Sequence, residues 1–492
     1  MKTKIVLLIL LIIVGSAGYR PLYTDSPVNL YMREYEDAIL AFRKNQKVRA
    51  FAFALFDNND VIFQKYSGNS TYGYPINSET LFSIQSMSKN ITALAVMKGV
   101  QNGLLDLDAP ISDYLPGFKI NSCFEDNPEE KITLGMLLSN TAGFTHEAPV
   151  GNNYDFRPVS FADHIESIAY TWLKYPAGTN YSYSNLGFDL AAKIVEEVSG
   201  MGFNDFLKLH IFGPLEMTVT TIDDDEVVGS TNKTEGTIPS VKAKHYKIPL
   251  IGAGAIYTSL NDLIKYVQLH LNLGEAEGKT FIEMSHLYEM YTIRLFNYGL
   301  GTYIGKSGDT YFLNHNGGGY GYSSAMLWYP EYNIGAIMLC NSNCAAFDIS
   351  RTILNMYLEN ESTARDHAMT EIFDMYNREY FVNSDRINTI ERQYCSNDTL
   401  FTDEWQKYTG TYAFTFEGFE LKWYAKLAVF AGFHPQKVYI EKEGEIMKIR
   451  TDRGESMLRK YRPGLFFTGG GEAVCFTGDI PAYRNIKLKK LK

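Results

Sequence analysis

The pattern of apolar residues changes near residue 400, and no other feature of the sequence constrains the fold as strongly. Before that point, helical and strand periodicities alternate, as in a mixed α+β domain. From residue 401 onward, short alternating runs such as KVYIEKEG and EIMKIRT are separated by turns. Many short runs of period two predict an all-β barrel or sandwich. Because 492 residues also exceed one typical core, at least two domains are predicted.

Several segments before residue 400 have a clear periodicity. Apolar spacing of three and four residues predicts helices at 31–44, 87–100, 186–198, 260–273 and 347–358, and the start of another at 132–138. Alternation predicts strands in a hairpin at 48–66 and at 310–312, 324–329 and 333–340, with the glycines of 317–321 interrupting them. Residues 104–118 predict a loop, and 368–397 a charged helical linker.

The net charge of −10 is unevenly distributed along the chain. Residues 401–492 contain 16 Lys and Arg against 11 Asp and Glu, a net charge of +5, which leaves −15 for the first 400 residues. An acidic chain is not expected to bind nucleic acid, since phosphate-binding surfaces need a surplus of basic residues. The difference predicts a C-terminal module that docks electrostatically on the main body, or else a basic surface for a membrane or wall polymer.

The first 18 residues predict a secretory signal peptide. Lys2 and Lys4 precede ten apolar residues at 5–14, and small residues follow at 15–18. This arrangement is typical of a cleaved signal, and the apolar run is shorter than the roughly 20 residues of a membrane-spanning helix. We therefore expect a secreted or periplasmic protein without a stable membrane span after cleavage, with an uncleaved anchor as the alternative.

The cysteines and histidines do not have the spacing of a metal site. Export permits disulfides, but five cysteines leave at least one thiol unpaired within the chain. We predict buried free cysteines. The sequence has no HExxH motif, no P-loop followed by Lys-Ser/Thr and no G-x-S-x-G elbow, so neither a metal nor another cofactor is predicted.

Ser86 and Lys89 form an S-x-x-K motif at the start of a predicted helix. A serine hydroxyl is a weak nucleophile without a nearby base, and residues three apart on a helix share a face. The spacing alone does not separate a nucleophile from a serine exposed near a helix start. The same spacing also occurs at Ser230 and Lys233, in a turn-like stretch without helical periodicity.

Two further polar elements accompany this motif. Tyr183 and Asn185 lie two residues apart before a predicted helix, so that a phenol and an amide can point the same way. Helix capping by Ser184 or Asn185 is the structural alternative, and both roles can coexist. His315 precedes the glycines Gly317 and Gly318; its imidazole can stabilise or exchange a proton, or the segment is an ordinary turn.

In the order S-x-x-K, Y-x-N and H-x-G, these elements resemble the serine β-lactamase and penicillin-binding-protein superfamily. The chain looks most like its class C-like group, which includes D-alanyl-D-alanine carboxypeptidases, D-aminopeptidases, related esterases and mitochondrial β-lactamase-like proteases. The resemblance covers about residues 30–360 and includes the segments LFSIQSMSKNITALAV, ITLGMLLSNTAGF and GAGAIYTSLNDLIKYV. It implies an α+β fold, an α/β sandwich with an antiparallel sheet and a helical subdomain. The segment YTGTY resembles a C-terminal all-β, lipocalin-like domain, which either shapes substrate access or assembly or only stabilises the chain.

The resemblance also implies a role for each matching residue. Ser86 would form the acyl-enzyme after Lys89 takes its proton, which requires a lysine pKa well below its usual value of about 10.4. Tyr183 would share the base role or carry the proton to the leaving group, and Asn185 would bind the substrate amide and steady Lys89. The backbone N–H groups of Ser86 and Gly318 would form the oxyanion hole.

The sequence departs from the penicillin-recognising members at His315, where they have the lysine of Lys-Thr-Gly. Histidine is mostly neutral at pH 7, since its reference pKa is about 6.5, so it attracts a substrate carboxylate less strongly. This difference favours peptide or ester cleavage over β-lactam hydrolysis. Asn140 also replaces a histidine common among relatives, and we interpret that position as structural.

Together these features predict an exported serine peptidase or amidohydrolase that cleaves short peptides, including peptides with D-residues. An esterase or β-lactamase of the same mechanism, and a non-catalytic penicillin- or peptide-binding sensor, are the alternatives. The substrate is therefore a small peptide, ester or β-lactam, and the sequence leaves the oligomeric state open. The predicted segments are a signal peptide at 1–18, a catalytic domain at 28–365, a helical linker at 366–400 and a C-terminal β-barrel at 401–492.

Overall fold

The computed structural model describes most of the chain as a larger domain and a C-terminal barrel. The described residues are 27–238, 245, 247–360, 373, 377, 393–415, 437–476 and 480–491. None of the helices among them is both long and apolar enough to cross a membrane.

The secondary structure of the larger domain alternates between helices and strands. Its α-helices are α1 Pro27–Gln46, α2 Ser88–Gln101, α3 Ile111–Tyr114, α4 Leu134–Leu138, α5 Phe161–Ile168, α6 Asn185–Ser199, α7 Phe203–Leu207, α8 Asp224–Gly229, α9 Leu260–Leu271, α10 Met284–Tyr291 and α11 Ala346–Asn360. Its strands are β1 Phe51–Asp57, β2 Val61–Ser67, β3 Phe82–Ser83, β4 Tyr257–Thr258, β5 Glu275–Ala276, β6 Lys279–Thr280, β7 Tyr303–Ser307, β8 Thr310–Gly319, β9 Tyr322–Tyr329 and β10 Ile334–Cys340.

A six-stranded antiparallel sheet divides the larger domain into two cores. Its strand order is β2-β1-β10-β9-β8-β7, with α1 and α11 on one face and α9 on the other. Successive side chains of a strand point to opposite faces, so Phe51, Phe53 and Leu55 enter one core while Ala52 and Ala54 enter the other. A strand buried on both faces explains the nearly continuous apolar run FAFALFD.

Helix α2 is buried on almost every side, not on one face as the periodicity predicts. It packs against α6, α10 and the turn before it, so that polar residues such as Lys89, Asn90 and Thr92 are buried with the apolar ones. Each of these three side chains has a hydrogen-bond partner. Burial of polar groups costs little when they are paired, and here it places a lysine amine inside the protein.

Strand β8 continues through the glycines that were expected to interrupt it. It pairs with β9 up to Gly319 opposite Tyr322, and only Tyr320 and Gly321 form the turn, both with positive φ. Two-residue hairpin turns require this backbone conformation. The prediction of a break is therefore wrong for 317–319 and confirmed for 320–321, and an extended backbone edge lies beside the candidate site.

Two shorter segments also differ from expectation. The predicted loop at 104–118 contains the one-turn helix α3, and the helix expected from 132 is the five-residue α4. Helices α2 and α6 end close to where the periodicity stops, and Gly103 and Gly200 follow them with φ values of 71° and 68°, which suit the left-handed position after a helix.

The C-terminal residues form a closed eight-stranded barrel, which confirms the predicted all-β domain. The strands are β11 Gly410–Phe414, β12 Lys437–Glu443, β13 Ile446–Thr451, β14 Gly454–Arg462, β15 Leu465–Thr468, β16 Ala473–Cys475, β17 Ala482–Tyr483 and β18 Ile486–Lys490. The inward side chains of alternating runs meet Trp405 in one apolar core. A further alternating run of the sequence, at 420–431, lies outside the described residues. Most of the predicted helical linker also lies outside them. Within the linker, Phe373 and Asn377 are helical, whereas residues 393–400 are not.

The barrel contacts the larger domain through a buried ion pair and an aromatic cluster. Glu472 accepts a hydrogen bond from Thr145 Oγ1 at 2.8 Å and lies 2.9 Å from Lys174 Nζ. Beside them, the ring of Trp172 packs edge-on against Phe467. Opposite charges thus meet at the contact, although the negative residue belongs to the module with a positive net charge.

A disulfide joins Cys123 to Cys395, with Cα atoms 5.4 Å apart. The prediction of free cysteines is therefore wrong for this pair, because the fold brings together two residues separated by 272 positions. Cys340 is buried as a free thiol, as predicted, whereas Cys344 and Cys475, which are also outside the disulfide, are only partly buried.

Candidate active site

Ser86 lies in a short 3-10 turn, Gln85–Met87, immediately before α2. It is thus not on the α-helix itself, as the sequence suggests, but in the tighter turn that leads into it. The residue before it, Gln85, has a φ of 51°, which is unusual for a residue other than glycine.

Lys89 is completely buried, and its Nζ contacts three oxygen atoms. It lies 3.1 Å from Ser86 Oγ, 2.8 Å from Asn185 Oδ1 and 2.8 Å from the carbonyl oxygen of Ala253. Burial lowers the pKa of Lys89 from 10.5 to about 7, although the charge of Asp189 acts in the opposite direction. A neutral amine donates its two hydrogens to Asn185 and Ala253, so that its lone pair is left for the proton of Ser86.

Asn185 begins α6, and Ser184 caps that helix by accepting a hydrogen bond from the N–H of Leu186. The capping and site roles weighed for this segment therefore coexist. The side chain of Asn140 accepts a hydrogen bond from the N–H of Ser184 at 3.0 Å, and its own carbonyl oxygen accepts one from Ser182. These contacts fix the extended backbone from which Tyr183 and Asn185 point, in agreement with the structural role predicted for Asn140.

Tyr183 stands beside Ser86 and Lys89. Burial raises the pKa of its phenol above the ordinary value, although a hydrogen bond with Ser86 acts in the opposite direction. The ring stacks on that of His146, with centroids 5.6 Å apart, and the Lys89 Nζ lies 5.0 Å from its centre. The phenol is therefore protonated at neutral pH and is close enough to Ser86 to exchange a proton with it.

His315 is buried in β8 and is neutral at physiological pH. Its Nδ1 faces the carbonyl oxygen of Asn316 at 2.8 Å, and its Nε2 faces the hydroxyl of Tyr298 at 3.1 Å. Burial, together with the charge of Lys89, lowers the pKa of His315 to about 3. The neutral state agrees with the expectation for this position, whereas proton exchange near pH 7 is not supported by this environment.

Gly317 and Gly318 differ in the space around them. A Cβ at Gly317 would lie 2.0 Å from the carbonyl oxygen of Ile84 and 2.4 Å from Ser324 Oγ, whereas one at Gly318 would meet no atom within 4 Å. Gly317 therefore allows β8 to approach the segment before Ser86. Gly318 has open space beside it and lines the same cleft as Ser86.

These residues surround a cleft of about 690 Å³. Its lining includes five of the predicted site residues, namely Ser86, Tyr183, His315, Gly317 and Gly318. Lys89 and Asn185 are buried behind it, where they contact each other. The structure thus brings all seven predicted site residues together. Within the described part of the chain, no group of His, Cys, Asp or Glu side chains is arranged to hold a metal ion.

The second S-x-x-K spacing has no such surroundings. Ser230 ends α8, and the Nζ of Lys233 donates to the carbonyl oxygens of Val227 and Val228. The lysine therefore stabilises the end of a short helix.

Asp189, His146 and Arg351 contact or line the site but are not among the residues predicted from the sequence. Asp189 was detectable, since a carboxylate four residues after Asn185 interrupts the apolar helix FDLAAKI. Arg351, which lines the cleft from α11, and His146, which supports Tyr183, gave no local signal because their roles depend on tertiary contacts.

Residues 35–355 match the β-lactamase family, which is more than half of the chain. The chain belongs to the β-lactamase family. Beta-lactamase-like protein 4 of Dictyostelium discoideum is 25% identical over 365 residues, which are 67% of this chain and 63% of that protein. Protein flp of Staphylococcus aureus strain MW2 is 26% identical over 289 residues, 56% of this chain and 57% of that protein. The matches thus span less than two thirds of these relatives.

Solved structures extend the similarity to the barrel. An octameric penicillin-binding protein homologue from Pyrococcus abyssi superposes with a TM-score of 0.60 at 19% identity, covering 93% of this chain and 99% of that one. SurE, solved with D-Leu, superposes with a TM-score of 0.56 at 17% identity, covering 94% of this chain and 100% of that one. At these identities the likeness shows the fold, and it includes both domains of this member of the β-lactamase family.

Proposed function

We propose that this protein is a serine hydrolase that cleaves short peptides through an acyl-enzyme at Ser86. The observation that carries the proposal is the 3.1 Å contact between Lys89 Nζ and Ser86 Oγ, made by a buried amine with a pKa of about 7. A general base works best when its pKa lies near the working pH. A lysine that served only as a positive charge would not need such burial. A lysine that takes a proton from a serine benefits from it, because burial lowers the pKa of the amine.

In the proposed reaction, Lys89 takes the proton of Ser86 as Oγ attacks the substrate carbonyl carbon. The N–H groups of Ser86 and Gly318 stabilise the resulting oxyanion. Tyr183, whose pKa is raised by burial, gives its proton to the leaving amine and is reprotonated by the Lys89 ammonium, so that the C–N bond breaks and the acyl group stays on Oγ. Water then attacks the ester carbon, and one of its protons passes through the same groups to Ser86 Oγ. The acyl group leaves as a carboxylic acid, and Ser86 is regenerated.

The charges of the cleft favour peptides with a free carboxyl end. His315 is neutral, so it does not supply the fixed positive charge of a lysine. Arg351 lines the same cleft as Ser86, with its guanidinium 5.3 Å from the ring centre of Phe312. Guanidinium groups bind carboxylates in a bidentate manner, so Arg351 is suited to the terminal carboxylate of a peptide. The D-Leu present with one structural relative supports the inclusion of D-residues among the candidates.

We also propose that the protein is exported. The pattern of residues 1–18 supports this, as does the disulfide between Cys123 and Cys395, since disulfides persist mainly in oxidising compartments.

Mass spectrometry after incubation with a fluorophosphonate tests the nucleophile. The wild type is expected to gain one adduct on the peptide that contains Ser86, and Ser86→Ala none, with Ser230→Ala as the matched control that labels normally. Persistent labelling of Ser86→Ala, or an unlabelled wild type, would refute the assignment.

A substrate panel then tests the reaction class. D-alanyl-D-alanine peptides, D-aminoacyl amides, short esters and nitrocefin are compared, and peptides with a free carboxylate are expected to react fastest and to lose this preference in Arg351→Gln. Rapid nitrocefin hydrolysis without peptide cleavage would favour a β-lactamase, ester-only turnover an esterase, and stoichiometric labelling without turnover of any substrate a sensor.

A further inference from the structure

Asp189 is a fully buried carboxylate one helical turn after Asn185. Its Oδ1 accepts hydrogen bonds from the backbone N–H groups of Gly252 and Ala253, each at 3.0 Å. Burial of a carboxylate is costly unless its oxygens are paired, and here the partners are two adjacent amides of one turn. Asp189 therefore anchors the backbone at 252–253 from behind the site.

The anchored turn is also the one that contacts Lys89. The carbonyl oxygen of Ala253 accepts a hydrogen bond from Lys89 Nζ at 2.8 Å. Gly252 packs so closely on α6 that a Cβ there would lie 2.2 Å from the carbonyl oxygen of Phe188. A continuous series of contacts thus runs from Asp189 through the 252–253 backbone to the amine of Lys89.

His164 completes the arrangement from α5. Its Nε2 lies 3.1 Å from Asp189 Oδ2 and its Nδ1 lies 2.8 Å from the carbonyl oxygen of Val150, and both side chains are completely buried. Each ring nitrogen thus faces an oxygen acceptor, whereas one nitrogen of His315 faces a hydroxyl that can donate. An imidazole between two acceptors carries a proton on both nitrogens, so His164 is positively charged beside the negative Asp189.

The charges near this pair affect the protonation of both His164 and Lys89. Burial lowers the pKa of His164, but the hydrogen bond and charge of Asp189, the carbonyl of Val150 and the charge of Glu147 outweigh it and raise the pKa above its ordinary value. Asp189 and Glu147 in turn favour the protonated form of Lys89. The positive charge of His164 therefore offsets a negative charge that would otherwise hold a proton on the base.

We propose that His164 and Asp189 form a positioning pair that fixes the Gly252–Ala253 turn and tunes Lys89 for proton transfer from Ser86. This inference rests on the proposed function, in which Lys89 is the base. Neither residue touches the reacting atoms: Asp189 acts through the backbone of Ala253, and His164 acts through Asp189.

Substitutions of the two members of the pair are expected to shift the pH–rate profile in opposite directions. Asp189→Asn keeps an oxygen for the two amides but removes the negative charge, so the acidic limb of the pH–rate profile is expected to move to lower pH. His164→Gln leaves Asp189 uncompensated, so the limb is expected to move to higher pH. A nearby charge shifts a pKa by about one unit or more, which sets the expected size of each displacement.

The experiment measures the rate of fluorophosphonate labelling of the full-length protein between pH 5 and 9. Asp189→Ala, which removes the acceptor as well as the charge, is expected to lose about 10²-fold in rate, and Asp189→Asn to recover most of it. His270→Gln is the matched control, since His270 is equally buried but contacts Tyr291 instead of the site. Thermal unfolding at each pH restricts the comparison to folded variants.

Opposite displacements of the limb, with His270→Gln unchanged, support the pair. Folded Asp189→Asn and His164→Gln variants with the wild-type limb, or with displacements in the same direction, would overturn it. An unlabelled wild type would instead refute the proposed function, so the two failures are distinguishable.

Discussion

Asn485, in the barrel, donates a hydrogen bond from Nδ2 to the main-chain oxygen of Glu147, 2.8 Å away in the larger domain. Glu147 follows His146, whose ring stacks on Tyr183. The main-chain oxygens of Thr145 and His146 also accept hydrogen bonds from Ser184 and Asn185. One short segment therefore contacts the barrel on one side and the Tyr183–Asn185 backbone on the other.

The strongest polar contact between the domains is expected to be that of Glu472. Glu472→Ala would leave Lys174 and Arg484 without their partner at a largely buried position. We expect a loss of roughly 3 kcal/mol of stability, since removal of one member of a buried ion pair leaves an uncompensated charge. Thermal unfolding measures this loss. Glu455→Ala, at an exposed barrel glutamate, is the control and should change stability little.

The loss of stability caused by Glu472→Ala should become smaller in acid. Burial raises the pKa of Glu472, but the charges of Lys174 and Arg484 and the hydrogen bonds outweigh this and lower it below 4.5. A carboxyl group with a lowered pKa stabilises the folded state above its unfolded pKa, and this contribution is lost as the pH falls through the folded value. The difference in melting temperature between the wild type and Glu472→Ala should therefore be full above about pH 5 and shrink below pH 4.5. A constant difference across this range would contradict the assigned charge.

Lys89 should control the acidic limb of the activity profile. The neutral amine is the active form, so the labelling rate should rise with pH and reach half of its plateau near pH 7. Lys89→Met should reduce the plateau by about 10²- to 10⁴-fold, the usual contribution of a general base. An undiminished rate in a folded Lys89→Met variant would assign the base elsewhere.

Tyr183→Phe tests the proton relay. Loss of the hydroxyl should slow peptide cleavage by about 10²-fold while the ring still stacks on His146. Tyr181→Phe is the matched control, because the Tyr181 hydroxyl contacts that of Tyr303 instead of Ser86. Steady-state kinetics on the preferred peptide should separate the two variants by kcat, and equal losses would argue against a relay through Tyr183.

The two glycines of β8 should respond differently to alanine. Gly317→Ala places a methyl group against the carbonyl oxygen of Ile84, so β8 and the Ser86 turn must move apart. A displacement of about 1 Å in such a site can cost 10²-fold in rate. The methyl group of Gly318→Ala would meet no atom within 4 Å, so this variant should keep the wild-type fold. Melting temperatures and labelling rates of both variants check this; an intact rate in Gly317→Ala would show that the close approach is dispensable.

The periodic elements were predictable because their signals are local. The helix that follows Ser86, the helix that begins at Asn185 and the alternating runs of the barrel follow from side-chain spacing, and the three short motifs indicated the candidate site. The strand through Gly317 was not predictable in the same way, since glycines weaken the strand signal and only the contact with Ile84 explains them.

The supporting residues of the site depended on contacts between distant segments. The partners of Lys89 come from α6 and the turn at 252–253, and the disulfide joins Cys123 to Cys395, so no sequence window contains either set. Asp189 is an intermediate case: an acidic residue in an apolar helix indicates a buried partner but does not identify it.

The disulfide at Cys395 also sets how far the barrel can travel. Asp398 and Phe401 already form backbone hydrogen bonds with the barrel residues Lys460 and Glu445, so only residues 396 and 397 separate the barrel from Cys395, which is bonded to the larger domain. A fully extended tether of that length reaches about 10 Å, which keeps the local concentration on the order of millimolar or higher. If the contact at Glu472 opens, the barrel stays within reach, so reclosure is a fast intramolecular step that does not depend on protein concentration.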